Sequence, residues 1–154
     1  ITLKSRPGNM FTEPTTVDIR YRDTVNDGHD AISFRAKVDR TGNTFADIQA
    51  RIALEADNTQ TVTLKQKLPS NAEITLAQVT GLPNTFVHLR EILDPEADTI
   101  AIIIDGQHRG TYGYTRHLDA GADTANRGVV KRHGTGAEVD YVRIRVGGTS
   151  GVMP

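Results

Sequence analysis

The chain has no cysteine and no tryptophan, and aromatic residues make up 5% of its 154 positions. Without cysteine there is no disulfide framework, no thiolate nucleophile and no cysteine-held zinc. No apolar run approaches the length needed to cross a bilayer as a helix, so we expect no membrane insertion. Charge of one sign is also missing: 18 basic residues stand against 19 acidic ones, a formal net charge of −1. A balance that close to zero provides no general pull toward nucleic acid, and we expect no nucleic-acid partner. No signal peptide is visible and the chain starts at Ile1 rather than Met. We read it as a processed product, an excised domain, or a chain whose true N-terminus lies upstream.

What is present is alternation. In Thr99–Arg116, Ile100, Ile102 and Ile104 recur every second residue, the period of a strand with one buried face. Asp105-Gly106 follows, and a tight hairpin turn needs φ > 0 at both central residues, which this pair tolerates. The chain should return through Thr111, Tyr112, Tyr114 and Thr115, all good strand formers. The same alternation runs through Val17–Arg22, Ala31–Val38, Gln60–Gln66 and Ala137–Val146, and through Phe45–Glu55, whose residues are also helix-compatible; Glu73–Val79 is a further strand candidate and Thr85–Leu93 a strand of mixed period. Gly128–His133 reads as an edge strand, blunted by Lys131 and Arg132. About ten short strands separated by Gly, Pro, Asn and Asp turns predict an all-β antiparallel sandwich. Residues 1–16, with two prolines, read as an N-terminal arm or lead-in loop, residues 17–147 as one domain, and residues 148–154 as a flexible tail.

Three pieces carry a resemblance: Ile102–Gly106, Gly110-Thr111-Tyr112 and the final strand Asp140-Tyr141-Val142-Arg143-Ile144. Together with Thr85–Leu89 before the hairpin, they resemble the concanavalin A-like lectin and glucanase jelly roll, laminin G-like domains included. That resemblance implies a two-sheet jelly roll. Its members include lectins, carbohydrate-binding modules, glycanases, polysaccharide lyases and adhesion domains, so fold alone selects none of them.

The residues decide against catalysis. A retaining glycanase needs two carboxylates about 5–5.5 Å apart. Glu138 and Asp140 share a strand face but lack a third acidic partner and a flanking Trp. A lyase would neutralise a uronate and abstract a proton with Tyr or His. Gln107, His108, Arg109, Tyr112, Tyr114 and Arg116 supply those types, yet Gln107-His108 lacks the spacer of the Gln-x-His motif in alginate lyases of this fold. No catalytic residue is assigned; lyase and glycanase chemistry are the nearest enzymatic alternatives. His29, His88, His108, His117 and His133 show no zinc spacing. Asp23, Asp27 and Asp30 fall in one oxygen-rich loop that suits Ca²⁺, the single cofactor expected if there is one.

Thirteen of the 18 basic residues are arginine, the side chain best shaped for two-pronged contacts to carboxylate or sulfate. Arg20, Arg22, Arg35, Arg51, Arg90, Arg143 and Arg145 fall on the polar phase of their strands, and with Tyr112, Tyr114 and Tyr141 they are the expected ligand-binding residues. Two functions fit this. One is a structural subunit of an assembly, a virion decoration, fibre or extracellular filament, whose arm reaches a second copy or another subunit. The other is a carbohydrate-binding or adhesion module that meets an acidic polysaccharide along the arginine row. Both place the chain outside the cell, on a cell surface or on a virion exterior.

Overall fold

A computed structural model describes residues 2–4, 14–26, 32–39, 44–118, 127–132 and 136–147. Twelve strands and no helix are found among them. In chain order they are β1 (Thr2–Lys4), β2 (Thr15–Asp23), β3 (Ile32–Asp39), β4 (Thr44–Leu54), β5 (Gln60–Lys67) and β6 (Glu73–Leu82), then β7 (Val87–Asp94), β8 (Thr99–Ile104), β9 (Gln107–Gly113), β10 (His117–Leu118), β11 (Arg127–Arg132) and β12 (Ala137–Val146). They form two sheets. The larger runs β1-β11-β3-β4-β5-β6, with β10 joining β4 beyond the point where β5 stops; the smaller runs β12-β2-β7-β8-β9. Every pairing is antiparallel. The jelly-roll sandwich expected from alternation is the fold.

The register explains the layers. In β2, Val17, Ile19 and Tyr21 turn inward, and they meet Leu89 and Val87 of β7 on the same face. Ile100, Ile102 and Ile104 of β8 extend that face. From the larger sheet, Ala46, Ile48, Ala50 and Ile52 of β4 and Val62 and Leu64 of β5 close over them. All of these side chains are buried, so two faces with a two-residue period are sealed against each other.

Two inward glutamines fasten the sheets at the ends of β5. Gln60 accepts a hydrogen bond from the Asp23 amide at 2.7 Å and donates to the Pro83 and Thr85 carbonyls at 2.8 and 2.9 Å. Gln66 accepts from the Thr115 amide at 3.1 Å and donates to the Thr115 carbonyl. Both glutamines are buried, and in each case the partners are backbone groups that no strand ladder serves.

Three sequence expectations need correction. Arg127–Arg132 is not an edge strand: β11 lies between β1 and β3. Thr2–Lys4 of the expected arm pairs with β11 of its own chain, and Thr15 and Thr16 already belong to β2. The return strand of the central hairpin ends at Gly113, not Arg116, because the chain leaves the sheet to let Gln66 hold Thr115. The rest of the arm and the tail from residue 148 lie outside the described residues.

The central turn itself is as expected, with φ of 48° at Asp105 and 79° at Gly106. Past it, β9 bulges against β8 between Ile102 and Ile103. Gly110 has φ 143°, which L-residues rarely adopt. A Cβ there would also fall within 3.0 Å of Oη, Cζ and Cε2 of Tyr112, whose hydroxyl donates to the Arg109 carbonyl at 3.0 Å. Gly110→Ala is therefore expected to lower stability by about 2 kcal/mol or more, backbone strain and the clash adding. Thermal unfolding of the variant checks this, and an unchanged midpoint would reject it.

Candidate functional site

Because each strand sends alternate residues outward, the sandwich has two outer faces, and the arginines divide between them. Arg51 lies on the larger sheet, and Arg35 stands opposite Gln49 in the β3–β4 register of that sheet. Arg20, Arg22 and Arg90 lie on the smaller sheet with Arg143 and Arg145. The single row expected from the sequence is thus split by the thickness of the fold. Alternation states which residues point away from the core but not which sheet a strand joins.

On the larger sheet the outward positions of β4, β5 and β6 form a polar lattice. Arg51 stands opposite Thr63, Gln49 opposite Lys65, and Thr63 opposite Gln78. The Arg51 guanidinium donates from Nη2 to Gln49 Oε1 at 3.0 Å and to Glu73 Oε1; Lys65 Nζ reaches Glu73 Oε2 at 3.2 Å. Partial burial would raise the Glu73 carboxyl, but the bonds from Lys65 and Arg51 prevail and hold it below the usual range. All three charged side chains remain partly open to solvent, at 22%, 31% and 27% for Arg51, Glu73 and Lys65. A fixed guanidinium, carboxylate and ammonium therefore present donors and acceptors side by side. No aromatic side chain stands among the outward positions 47–55, 61–67 and 73–80 of this face.

On the smaller sheet the centre is Asp18. It is 2% exposed, and its Oδ1 accepts from Arg90 Nε at 2.6 Å and lies 2.9 Å from His88 Nε2. Burial alone would raise this carboxyl; the hydrogen bonds from Arg90 and His88 together overcome it and keep its pKa below the ordinary value. Beside it, Arg20 pairs with Asp140 at 2.7 Å, and Arg143 lies 4.7 Å over the Tyr141 ring. Arg22 reaches Asn84 Oδ1 at 3.4 Å.

Two expected binding tyrosines lie elsewhere. Tyr114 is 7% exposed, its hydroxyl donates to the Asp94 carbonyl at 3.3 Å, and burial raises its pKa. Tyr112 packs on the core rim over Gly110. Both point inward because they share the phase of Ile100. The types suited to a lyase therefore do not converge: Gln107, His108 and Arg109 are exposed past the turn while Tyr112 and Tyr114 face the core. Nor do Glu138 and Asp140 form a carboxylate pair, since the bulge between Val139 and Tyr141 breaks their common phase and Asp140 turns to Arg20.

The calcium expectation meets a similar obstacle. Asp23 is buried, its Oδ2 accepting from the Leu54 amide at 2.9 Å and its Oδ1 from the Val25 amide at 3.3 Å, so it serves the fold. Asp27 and Asp30 lie outside the described residues. Among the described residues no three His, Asp or Glu side chains gather as a metal site.

No family model matches the sequence, and no curated protein matches it. Solved structures do share the fold. A double variant of human galectin-16 superposes with a TM-score of 0.56 at 10% identity, over 96% of this chain and 95% of that one. Sheep galectin-11 in complex with glycerol gives 0.51 at 7% identity, over 94% and 95%. Ruminococcus gnavus IT-sialidase CBM40 gives 0.52 at 13% identity, over 88% and 77%. At such identities the likeness shows the two-sheet jelly-roll fold alone.

Proposed function

We propose that the chain is a non-catalytic carbohydrate-binding or adhesion module that seats a glycan on the outer face of β4, β5 and β6. The observation that carries this is the Arg51–Glu73–Lys65 set, three charged groups held at fixed spacing yet partly open to solvent. Sugar hydroxyls donate and accept at once, so they match a face that presents both functions without a metal or a nucleophile. No ring stands among the outward positions 47–55, 61–67 and 73–80, so hydrogen bonding, not stacking, sets the selectivity of this charged set. Each contact is then weak, and useful affinity comes from repeated engagement along a polymer or a cell surface. The fold is one that galectins and a sialidase CBM40 share, which supports this reading. Such a module works outside the cell, at a cell or virion surface. The assembly reading leaned on an N-terminal arm reaching a neighbour, whereas Thr2–Lys4 pairs within its own sheet.

A glycan array probed with the chain tests the proposal. Binding to a restricted set of oligosaccharides is expected, falling about tenfold or more in Arg51→Ala and in Glu73→Ala, since each removes a charged hydrogen-bonding partner. Incubated oligosaccharides should be recovered uncut. A silent array, or full binding by Arg51→Ala, overturns the site.

A further inference from the structure

The opposite face has a different chemistry. Across the smaller sheet, Arg143 of β12, Asp18 of β2 and Arg90 of β7 stand in one register row, and Tyr141, Arg20 and His88 in the next. Asp18 is held by Arg90 and His88, and Asp140 by Arg20. Glu138 lies opposite Arg22. The outward carboxylates of β2 and β12 among the described residues, Asp18, Glu138 and Asp140, therefore each stand against a cation. Among the described residues neither Arg143 nor Arg145 has a carboxylate partner, and both are exposed. They lie two residues apart on the same side of an edge strand, about 6.8 Å along the chain direction.

The geometry points to this face as a binding surface for an acidic polysaccharide, whose carboxylate or sulfate groups are taken by Arg143 and Arg145. The guanidinium fork matches both groups in a two-pronged, charge-assisted contact. Arg143 is already oriented, because its guanidinium rests on the Tyr141 ring. The successive arginines on one strand suit a polymer with regularly repeated anions better than a single anion. Nucleic acid fits less well. The aromatic rings here carry guanidinium groups, Arg143 on Tyr141 and Arg20 at 5.1 Å from Phe86, so no bare ring is offered to a base. The inference does not rest on the glycan reading of the larger sheet, from which this surface is separated by the core.

Calorimetric titration of the chain with heparin, polygalacturonate and neutral dextran tests it. Binding to the two polyanions and not to dextran is expected, weakening as salt rises. Arg143→Gln with Arg145→Gln should reduce that affinity about tenfold or more with the thermal midpoint kept. Arg145→Gln alone should lie between. The double variant should keep the parent's binding to neutral oligosaccharides on the glycan array, so the two sites fail or succeed separately. Undiminished polyanion affinity in the double variant overturns the inference. Duplex DNA bound as tightly as heparin would reject the polysaccharide as occupant. A dimer in sedimentation that the double variant dissolves would assign the face to a second copy instead.

Discussion

Replacing Glu91 with glutamine should remove a large pH dependence of stability. Glu91 points inward from β7, is 1% exposed, and its Oε1 has no hydrogen-bond partner. Burial pushes its carboxyl up to about 8 from 4.5. A raised carboxyl means the folded chain keeps a proton that the unfolded chain releases. Its contribution to stability is then complete below about pH 4.5, falls as pH rises, and levels off above about pH 8. The slope is about 1.4 kcal/mol per pH unit, so the whole loss is on the order of 5 kcal/mol. Urea unfolding at pH 5, 6, 7 and 8 should show the parent losing stability steadily and Glu91→Gln losing far less. Parallel curves for the two proteins would show that Glu91 titrates as it does in the unfolded chain.

The second large effect is expected at Gln60. Its side chain makes three hydrogen bonds inside the fold, to the Asp23 amide and to the Pro83 and Thr85 carbonyls. Gln60→Leu keeps the size and the strand position but leaves those backbone groups without that partner. The buried Asp23 amide costs about 1–3 kcal/mol when unpaired and the part-buried Pro83 and Thr85 carbonyls add less, since Pro83 keeps the Thr85 amide, so a loss of about 2–4 kcal/mol is expected. Gln60→Glu is a useful companion: it can still accept from the Asp23 amide but donates to neither carbonyl in its ionised form. Denaturant midpoints of both variants measure the effect, and a loss below about 1 kcal/mol in Gln60→Leu would show that the three bonds are not what holds this corner.

Much of the architecture was legible because apolar residues in these strands recur every second position. Val17, Ile19 and Tyr21, or Ile100, Ile102 and Ile104, point to a buried face without any knowledge of their partners. The turn at Asp105-Gly106 was legible for the same local reason. Long-range pairing was not. Nothing in the pattern of β4 or β12 states that they enter different sheets, and so Arg51 and Arg143 were read as one row. Tyr114, expected among the ligand-binding residues, shares the phase of Tyr112 and turns inward. The inward glutamines carry a signal in the sequence itself. Gln60 and Gln66 lie in phase with Val62 and Leu64, and a polar residue on a core phase needs a buried partner. Glu91, between Leu89 and Leu93, is the same case.

The bulge on β9 bears on how copies of the chain meet one another. β9 ends its sheet, and an outer strand with free amides and carbonyls is a template on which further strands can grow. Here Arg109 is skipped in the ladder with β8, its carbonyl is taken by the Tyr112 hydroxyl, and Gly110 departs from an extended conformation. An incoming strand would find the repeat of hydrogen-bonding groups interrupted at the middle of the seam. Crowded copies are thus kept from zipping side by side into fibrils along this border, a safeguard written into one skipped residue and one phenol.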